Sequence, residues 1–293
     1  MQVSALGSVG YSSMYSIAGL ASAHNGKVNK SLQKISSGLG IVTAGDAPAD
    51  LAISERLRAL IGREDSASSN IENAVSYMQT SDSYMQNVQD TVGRMQELAV
   101  AANDGTKSPV DRQALQAEFS QLQQGITDTT SGPSPLAQFN GQALLQGDTV
   151  SVAIGPDMGQ NLTMTPVDLS SGSSAVMGQD SQGQDVAWGA VLAQGAGGLN
   201  LSTQASAASA LDTLSLASDH VSAVRATRGA EQARMASTLG GLRDSTVNTL
   251  MTESRIRDVD VAKELVNLVR FQTLGKLGRG MLEAVTGKVL GIG

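Results

Sequence analysis

Cysteine is absent from this sequence, histidine occurs twice, and only eight of 293 residues carry an aromatic ring. Without cysteine there is no disulfide framework, thiolate nucleophile or zinc ribbon, and two distant histidines leave little for metal or general-base chemistry. The sequence therefore points to no catalytic residue, no cofactor and no metal. Rings usually dominate the energetics of cores and pockets, so one Trp, four Tyr and three Phe predict that no large single core forms. No apolar run approaches the roughly 20 residues of a membrane span, and Met1 to Leu20 lacks the basic and continuously apolar regions of a secretory signal. The expectation is a chain with no membrane partner, soluble or leaving the cell by a route that needs no cleaved signal.

Positive charge is missing from the middle. No Lys or Arg occurs between Arg112 and Arg225, whereas nine acids do, from Glu118 to Asp219, in a chain of net charge −7. Nucleic-acid binding wants a basic stripe interleaved with rings, so an acidic centre argues against it and suggests a region that faces outward.

Proline and glycine divide the chain into three parts. Pro48 and Pro109 bracket a long proline-free stretch, four of six prolines lie from Pro133 to Pro166, and none follows. Long helices are permitted at both ends and discouraged between them. Met14, Ile17, Ala21, His24, Val28, Leu32, Ile35 and Leu39 recur at three-four spacing, which places them on one helical stripe. Gly38, Gly40, Gly45 and Pro48 then predict a kink. Beyond it Ile71, Met78, Met85, Val92 and Ala99 lie seven apart, interleaved with Ala74, Ser81, Val88, Met95 and Ala102, a coiled-coil pattern. A helix over Leu51 to Ala102 would extend about 78 Å. Asn103-Asp104-Gly105-Thr106 supplies a stop, Ser108-Pro109 an N-cap with proline at the first helical position, and Leu115, Phe119, Leu122 and Ile126 a second, antiparallel stripe.

From about Ala137 to Ser173 the period falls to two. Residues 149–154 and 162–167 alternate around a Gly155-Pro156-Asp157-Met158-Gly159 turn, predicting a β-hairpin. Residues 170–206 are rich in Gly, Ser, Gln and Ala and read as a mobile connector with a short helix at most. Helical spacing returns at Leu211, Leu214, Val221 and Val224, weakens through Leu242, and reappears from Ile256 to Val289. There Leu265, Val266, Leu268, Val269, Leu274, Leu277, Met281, Leu282 and Val285 occupy more than one narrow seam, so that helix needs several neighbours. The N-terminal helix covers one side only. Copies of the chain are the natural source of the rest, and a heterologous interface that does not close into a ring continues as a helical filament.

The segment Ser36-Ser37-Gly38-Leu39-Gly40 through Asp46-Ala47-Pro48-Ala49-Asp50-Leu51-Ala52-Ile53-Ser54-Glu55-Arg56-Leu57 closely resembles the N-terminal signature of bacterial flagellins. The likeness continues through Arg94-Met95-Gln96-Glu97-Leu98-Ala99, Asn103-Asp104-Gly105-Thr106, Asp111-Arg112-Gln113 and Phe139-Asn140-Gly141. Gly229-Ala230-Glu231-Gln232 and Ser254-Arg255-Ile256-Arg257-Asp258-Val259-Asp260 resemble the C-terminal signature. The resemblance and the periodicity together give a mainly α fold: an elongated antiparallel helical bundle or coiled coil of paired N- and C-terminal segments, with a small β-hairpin region at the middle of the chain.

The resemblance implies a structural subunit of the flagellar filament, a secreted homopolymer of the extracellular bacterial flagellum. It implies as partners the chain itself, the flagellar export apparatus with an export chaperone, and the hook-associated junction and cap proteins. It divides the chain into residues 1–43 and 253–293, the inner-tube helices, residues 44–136 and 207–252, the helical rod, and residues 137–206, a short variable region. Met14, Ile17, Ala21, Val28, Leu32, Ile35, Leu265, Val269, Leu274, Leu277, Met281 and Val285 are then the self-assembly residues. Arg94, Leu98 and Glu118 stand where recognised flagellins contact the vertebrate innate flagellin receptor, although bundle surface and contact between copies is the plainer role. Gly7 to Tyr11 and Leu290 to Gly293 depart from the family's usual ends. Hook–filament junction proteins share the terminal helices and supply the alternative reading.

Other residues have ordinary readings. His24 and His220 read as packed or surface histidines. Asp258 and Asp260, beside Arg255, Arg257 and Lys263, read as helix-surface ion pairs. Gly38, Gly40 and Gly45 read as a hinge, since no Gly-Lys-Ser/Thr follows. Met78, Met85 and Met95 read as seam packing.

Overall fold

The computed structural model describes residues 3–180, 182–194 and 198–289; the side chains of residues 3–17, 21, 282 and 285–289 lie outside that description. The chain divides into two compact units: Met1–Gly62 with Thr246–Gly293, and Arg63–Ser245.

In the first unit, helix α1 (Val3–Ser37) ends where Gly38 turns to a φ of +73°, a conformation that costs glycine little and stops a helix. The predicted kink is thus a full break, and helix α2 (Pro48–Ala102) starts on the proline. The intervening loop folds around Asp46. Its carboxylate accepts the main-chain N–H groups of Val42 and Thr43, the Thr43 hydroxyl, and Lys30 Nζ at 2.6 Å. At the other end of the chain, helix α5 (Gln204–Arg257) breaks before helix α6 (Val261–Val289). Helices α1 and α6 pack side by side and run antiparallel: Val259 N–H donates to the Gly38 carbonyl at 3.0 Å, and Arg279 donates to Asn25 at 3.3 Å.

The expected surface ion pairs of Asp258 and Asp260 are corrected. Asp258 takes the Ser254 hydroxyl. Asp260 Oδ1 accepts Lys263 N–H at 3.0 Å, satisfying one of the unpaired donors at the start of α6. Arg257 bonds to Glu55 across the two helices instead.

In the second unit the heptad stripe of α2 is the seam. Ile71, Met78, Met85, Val92 and Ala99 are buried, as are the interleaved Ala74, Val88, Met95 and Ala102. Against it lies α5, which contributes Ala207, Ala210, Leu214, Ala217, Val221 and Met235. Gln96 donates to the Leu214 carbonyl, Gln89 to Ser218, Arg225 pairs with Asp82, and Arg243 with Glu72. Partner numbers fall along α5 as they rise along α2, so the helices are antiparallel. Helix α3 (Pro109–Thr130) folds back onto α2, and the Ser108 cap is reciprocal: Asp111 N–H donates to the Ser108 hydroxyl while the Asp111 carboxylate accepts Ser108 N–H.

Three two-stranded antiparallel sheets belong to this unit. Strands β1 (Gln138–Phe139) and β2 (Gln142–Ala143) turn through Asn140 and Gly141, both with positive φ, the tight hairpin that asparagine-glycine favours. Strands β3 (Ser151–Ala153) and β4 (Asn161–Thr163) form the expected hairpin. Strands β5 (Val176–Gln179) and β6 (Asp185–Ala187) were not anticipated; the short helix α4 (Gly189–Leu192) that follows them is within the short helix allowed there.

Two expectations fail here. Residues 170–206 hold a hairpin in place of a mobile connector, because Trp188 is fully buried and its Nε1 donates to the Leu169 carbonyl at 2.6 Å, while Val191, Leu192 and Leu201 join the same core. And this unit does form one connected core. Ala, Val, Leu and Met fill it, with Trp188, Phe119 and Tyr77 as its buried rings, because small and flexible side chains suffice between closely packed helices.

Candidate assembly surface

The two units differ in where their apolar side chains point. Among the described residues, the second unit buries 32 apolar side chains in one cluster and leaves five large ones exposed: Val100, Val110, Leu136, Met158 and Val176. The first unit, which is shorter, buries two, Ile41 and Leu268, and exposes thirteen. Single exposed apolar residues are normal, but a contiguous population of this kind marks an interaction surface.

Most of that population sits on α6. Val261, Leu265, Val266, Val269, Leu274, Leu277 and Met281 are all exposed, Val269 by 60% and Leu277 by 59%. They cannot face one partner, since at 100° per residue the set from Val261 to Leu274 spreads over about 220° of the helix circumference, more than half of it. On α1 the exposed members are Leu20 and Leu32. Val28 and Ile35 are half-buried. Met14, Ile17, Ala21 and Val285 lie on the same helices, with side chains outside the described residues.

Sequence reading missed part of this surface. Leu20, Ile53, Val247, Leu250, Met251 and Val261 are exposed as well. Val247, Leu250 and Met251 follow three-four spacing on α5, so the signal was present, hidden within a helix whose polar residues dilute it.

Polar contacts fix the first unit from within. Glu253, buried beside α2, accepts Ser54 Oγ at 3.2 Å and pairs with Arg58 at 3.0 Å. Ser31 is buried, and its hydroxyl, bonded to Glu264, holds that carboxyl below its usual range.

Arg94 and Glu118 are brought together, Nη2 to Oε1 at 2.7 Å, with Glu97 completing the cluster. The Arg94–Glu118 pair ties α2 to α3, whereas Leu98 is buried at 3% exposure in the core. His24 Nδ1 lies 2.6 Å from the Leu20 carbonyl. His220 lies against Trp188, centroids 6.2 Å apart, and burial pushes its pKa down. Among the described residues no group of three His, Asp or Glu side chains is placed to hold a metal ion, and no helix is long and apolar enough to cross a membrane.

The family described as the bacterial flagellin N-terminal helical region matches residues 12–149, and that described as the bacterial flagellin C-terminal helical region matches residues 211–286. A flagellin of Halalkalibacterium halodurans is 36% identical over 260 residues, covering 86% of each chain. The flagellar filament 33 kDa core protein of Treponema phagedenis is 34% identical over 267 residues, covering 88% of each. Among solved structures, one from Vibrio parahaemolyticus assigned as a flagellar hook-associated protein has a TM-score of 0.57 at 12% identity, covering 73% of this chain and all of that one. It shares the fold.

Proposed function

The chain belongs to the bacterial flagellin family and is a structural subunit of the flagellar filament; from that premise we propose that α1 and α6 are the surfaces through which copies join. The observation that carries this reading is the imbalance of the first unit, thirteen large apolar side chains exposed against two buried among the described residues. Full burial of such a side chain contributes about 1.5–3 kcal/mol. The seven on α6 are already partly covered, so about 1 kcal/mol remains for each. That sum is comparable to the cost of associating two molecules, about 4–15 kcal/mol. One neighbour covering one face therefore gives a weak pair, and several neighbours covering all faces give a stable polymer. The same protein can thus travel as a single chain and be held firmly once assembled.

In this reading residues 1–43 and 253–293 form an inner tube, residues 44–136 and 207–252 the shell around it, and residues 137–206, within the cationless stretch, the outward face. The chain leaves the cell through the flagellar export apparatus, accompanied by an export chaperone, and its filament is bounded by junction and cap proteins. The junction role itself is not favoured, because the curated relatives are filament proteins and the hook-associated likeness is one of fold.

Deletion of residues 1–37 or of residues 261–293 tests the proposal. Each truncated chain should keep the buried environment of Trp188 and remain monomeric under conditions in which the full chain polymerises, as judged by negative-stain microscopy. Long filaments from either truncation would overturn it.

A further inference from the structure

The helices that join copies also carry a surplus of one charge. Helix α1 contains Lys27, Lys30 and Lys34 and no acid; α6 contains Lys263, Arg270, Lys276, Arg279 and Lys288 against Glu264 and Glu283. That is eight cations to two acids, while the rest of the chain holds twelve to twenty-five. Of the eight, Lys30 is neutralised by Asp46. Packing several copies of such a pair concentrates positive charge, and like charges brought together in a partly dry interface repel unless something compensates them.

The compensation has a place to sit. Between α1 and α6 lies a groove of about 390 Å³, lined by Asn25, Val28, Phe271, Gln272, Lys276 and Arg279. It has room for roughly a dozen waters, enough for a hydrated oxyanion. Arg279 Nη2 donates to Asn25 Oδ1 at 3.3 Å, a neutral acceptor. Lys27 Nζ lies over the Phe271 ring, 5.4 Å from its centroid, which holds a further cation at the rim without neutralising it. Gly275 opens the floor: a Cβ there would come within 3.9 Å of the His24 Cβ. An arginine fork beside a lysine, with amides from Asn25 and Gln272, is donor chemistry suited to a tetrahedral oxyanion.

We propose that this groove binds a small oxyanion of the phosphate or sulfate class, held by Lys276 and Arg279, and that the bound anion offsets the charge of the terminal helices as copies pack. Its consequence for growth rests on the assignment of those helices to self-assembly; the binding itself does not.

The test uses full-length monomer at pH 7 and a fixed ionic strength of about 0.15 M, with inorganic phosphate exchanged for chloride. Phosphorus-31 line broadening should show saturable binding. Lys276→Gln and Arg279→Gln should each weaken it about tenfold, the effect of losing one charge-assisted hydrogen bond, whereas Lys107→Gln, on the turn before α3, should leave it unchanged. Polymer growth followed by light scattering should accelerate over the same phosphate range and lose that response in the double variant. Growth that rises with phosphate without saturating, equally in both proteins, would overturn the proposal, since exclusion of phosphate from protein surfaces explains it. Binding to phosphatidylglycerol vesicles with no response to free phosphate would overturn it in favour of a lipid surface. A chain that binds phosphate yet never polymerises would leave the site standing and defeat the assembly reading instead.

Discussion

The main-chain N–H of Gly40 donates to the Arg257 carbonyl at 2.6 Å, joining the loop after α1 to the last residue of α5. One residue on each side, Leu39 and Asp258 form an antiparallel bridge. A Cβ on Gly40 would lie 3.2 Å from the Asp258 carbonyl oxygen and 3.5 Å from that of Arg257. Both neighbours are backbone and cannot swing aside. Gly40→Val should therefore lower stability by about 1–3 kcal/mol, read as a lower thermal midpoint together with faster amide exchange at Gly38 to Gly40 and Val259.

That clamp shows where sequence reading ran out. The seam of α2 was legible because seven-residue spacing is a local property, and the Ser108-Pro109 start was legible because capping involves neighbours in the chain. The surplus apolar residues of α6 were legible for the same reason: a helix too apolar for one seam announces a missing partner. The Gly40 to Arg257 contact joins residues more than 200 positions apart and leaves no periodic trace. Nor does Trp188 order the segment around it by any pattern, since one ring among Gly, Ser and Gln looks like a linker until its partner carbonyl is known. Polar residues at buried seam positions, such as Ser54, Glu64 and Ser81, also interrupt the pattern that would otherwise have extended it.

Met85 and Val269 separate stability from assembly. Met85 is fully buried in the seam, so Met85→Ala should cost about 2–5 kcal/mol and lower the thermal midpoint of the monomer. Val269→Ser should change monomer stability by less than about 0.5 kcal/mol, as exposed substitutions do, yet raise the concentration needed for polymerisation severalfold. Sedimentation of the polymer against a dilution series measures the second effect.

Trp188 is a ready reporter, being the sole tryptophan. Its full burial predicts blue-shifted emission in the native chain that moves red as the second unit unfolds. Trp188→Phe keeps a ring but strands the Leu169 carbonyl, and should cost about 1–3 kcal/mol in denaturant titration.

Asp46 predicts a response to acid. Lys30 and the Thr43 and Val42 groups hold its carboxyl well below the usual carboxylate range, against the opposing effect of burial. A depressed folded value means the ionised form stabilises the fold. That contribution is complete above the ordinary carboxylate value of about 3.9 and is lost as pH falls from there toward the folded value. Asp46→Asn should lower stability by about 1–2 kcal/mol at pH 7, and the gap from the parent protein should narrow below about pH 4. Denaturant titrations at pH 7 and pH 3 read it directly.

The most direct measurement is hydroxyl-radical footprinting of Val269, Leu277 and Met281 in dispersed monomer and in polymer, with Met158 followed alongside. Assembly through α1 and α6 predicts that the three α6 side chains, open in the single chain, become strongly protected on polymerisation. Equal labelling of all three in monomer and polymer would contradict it.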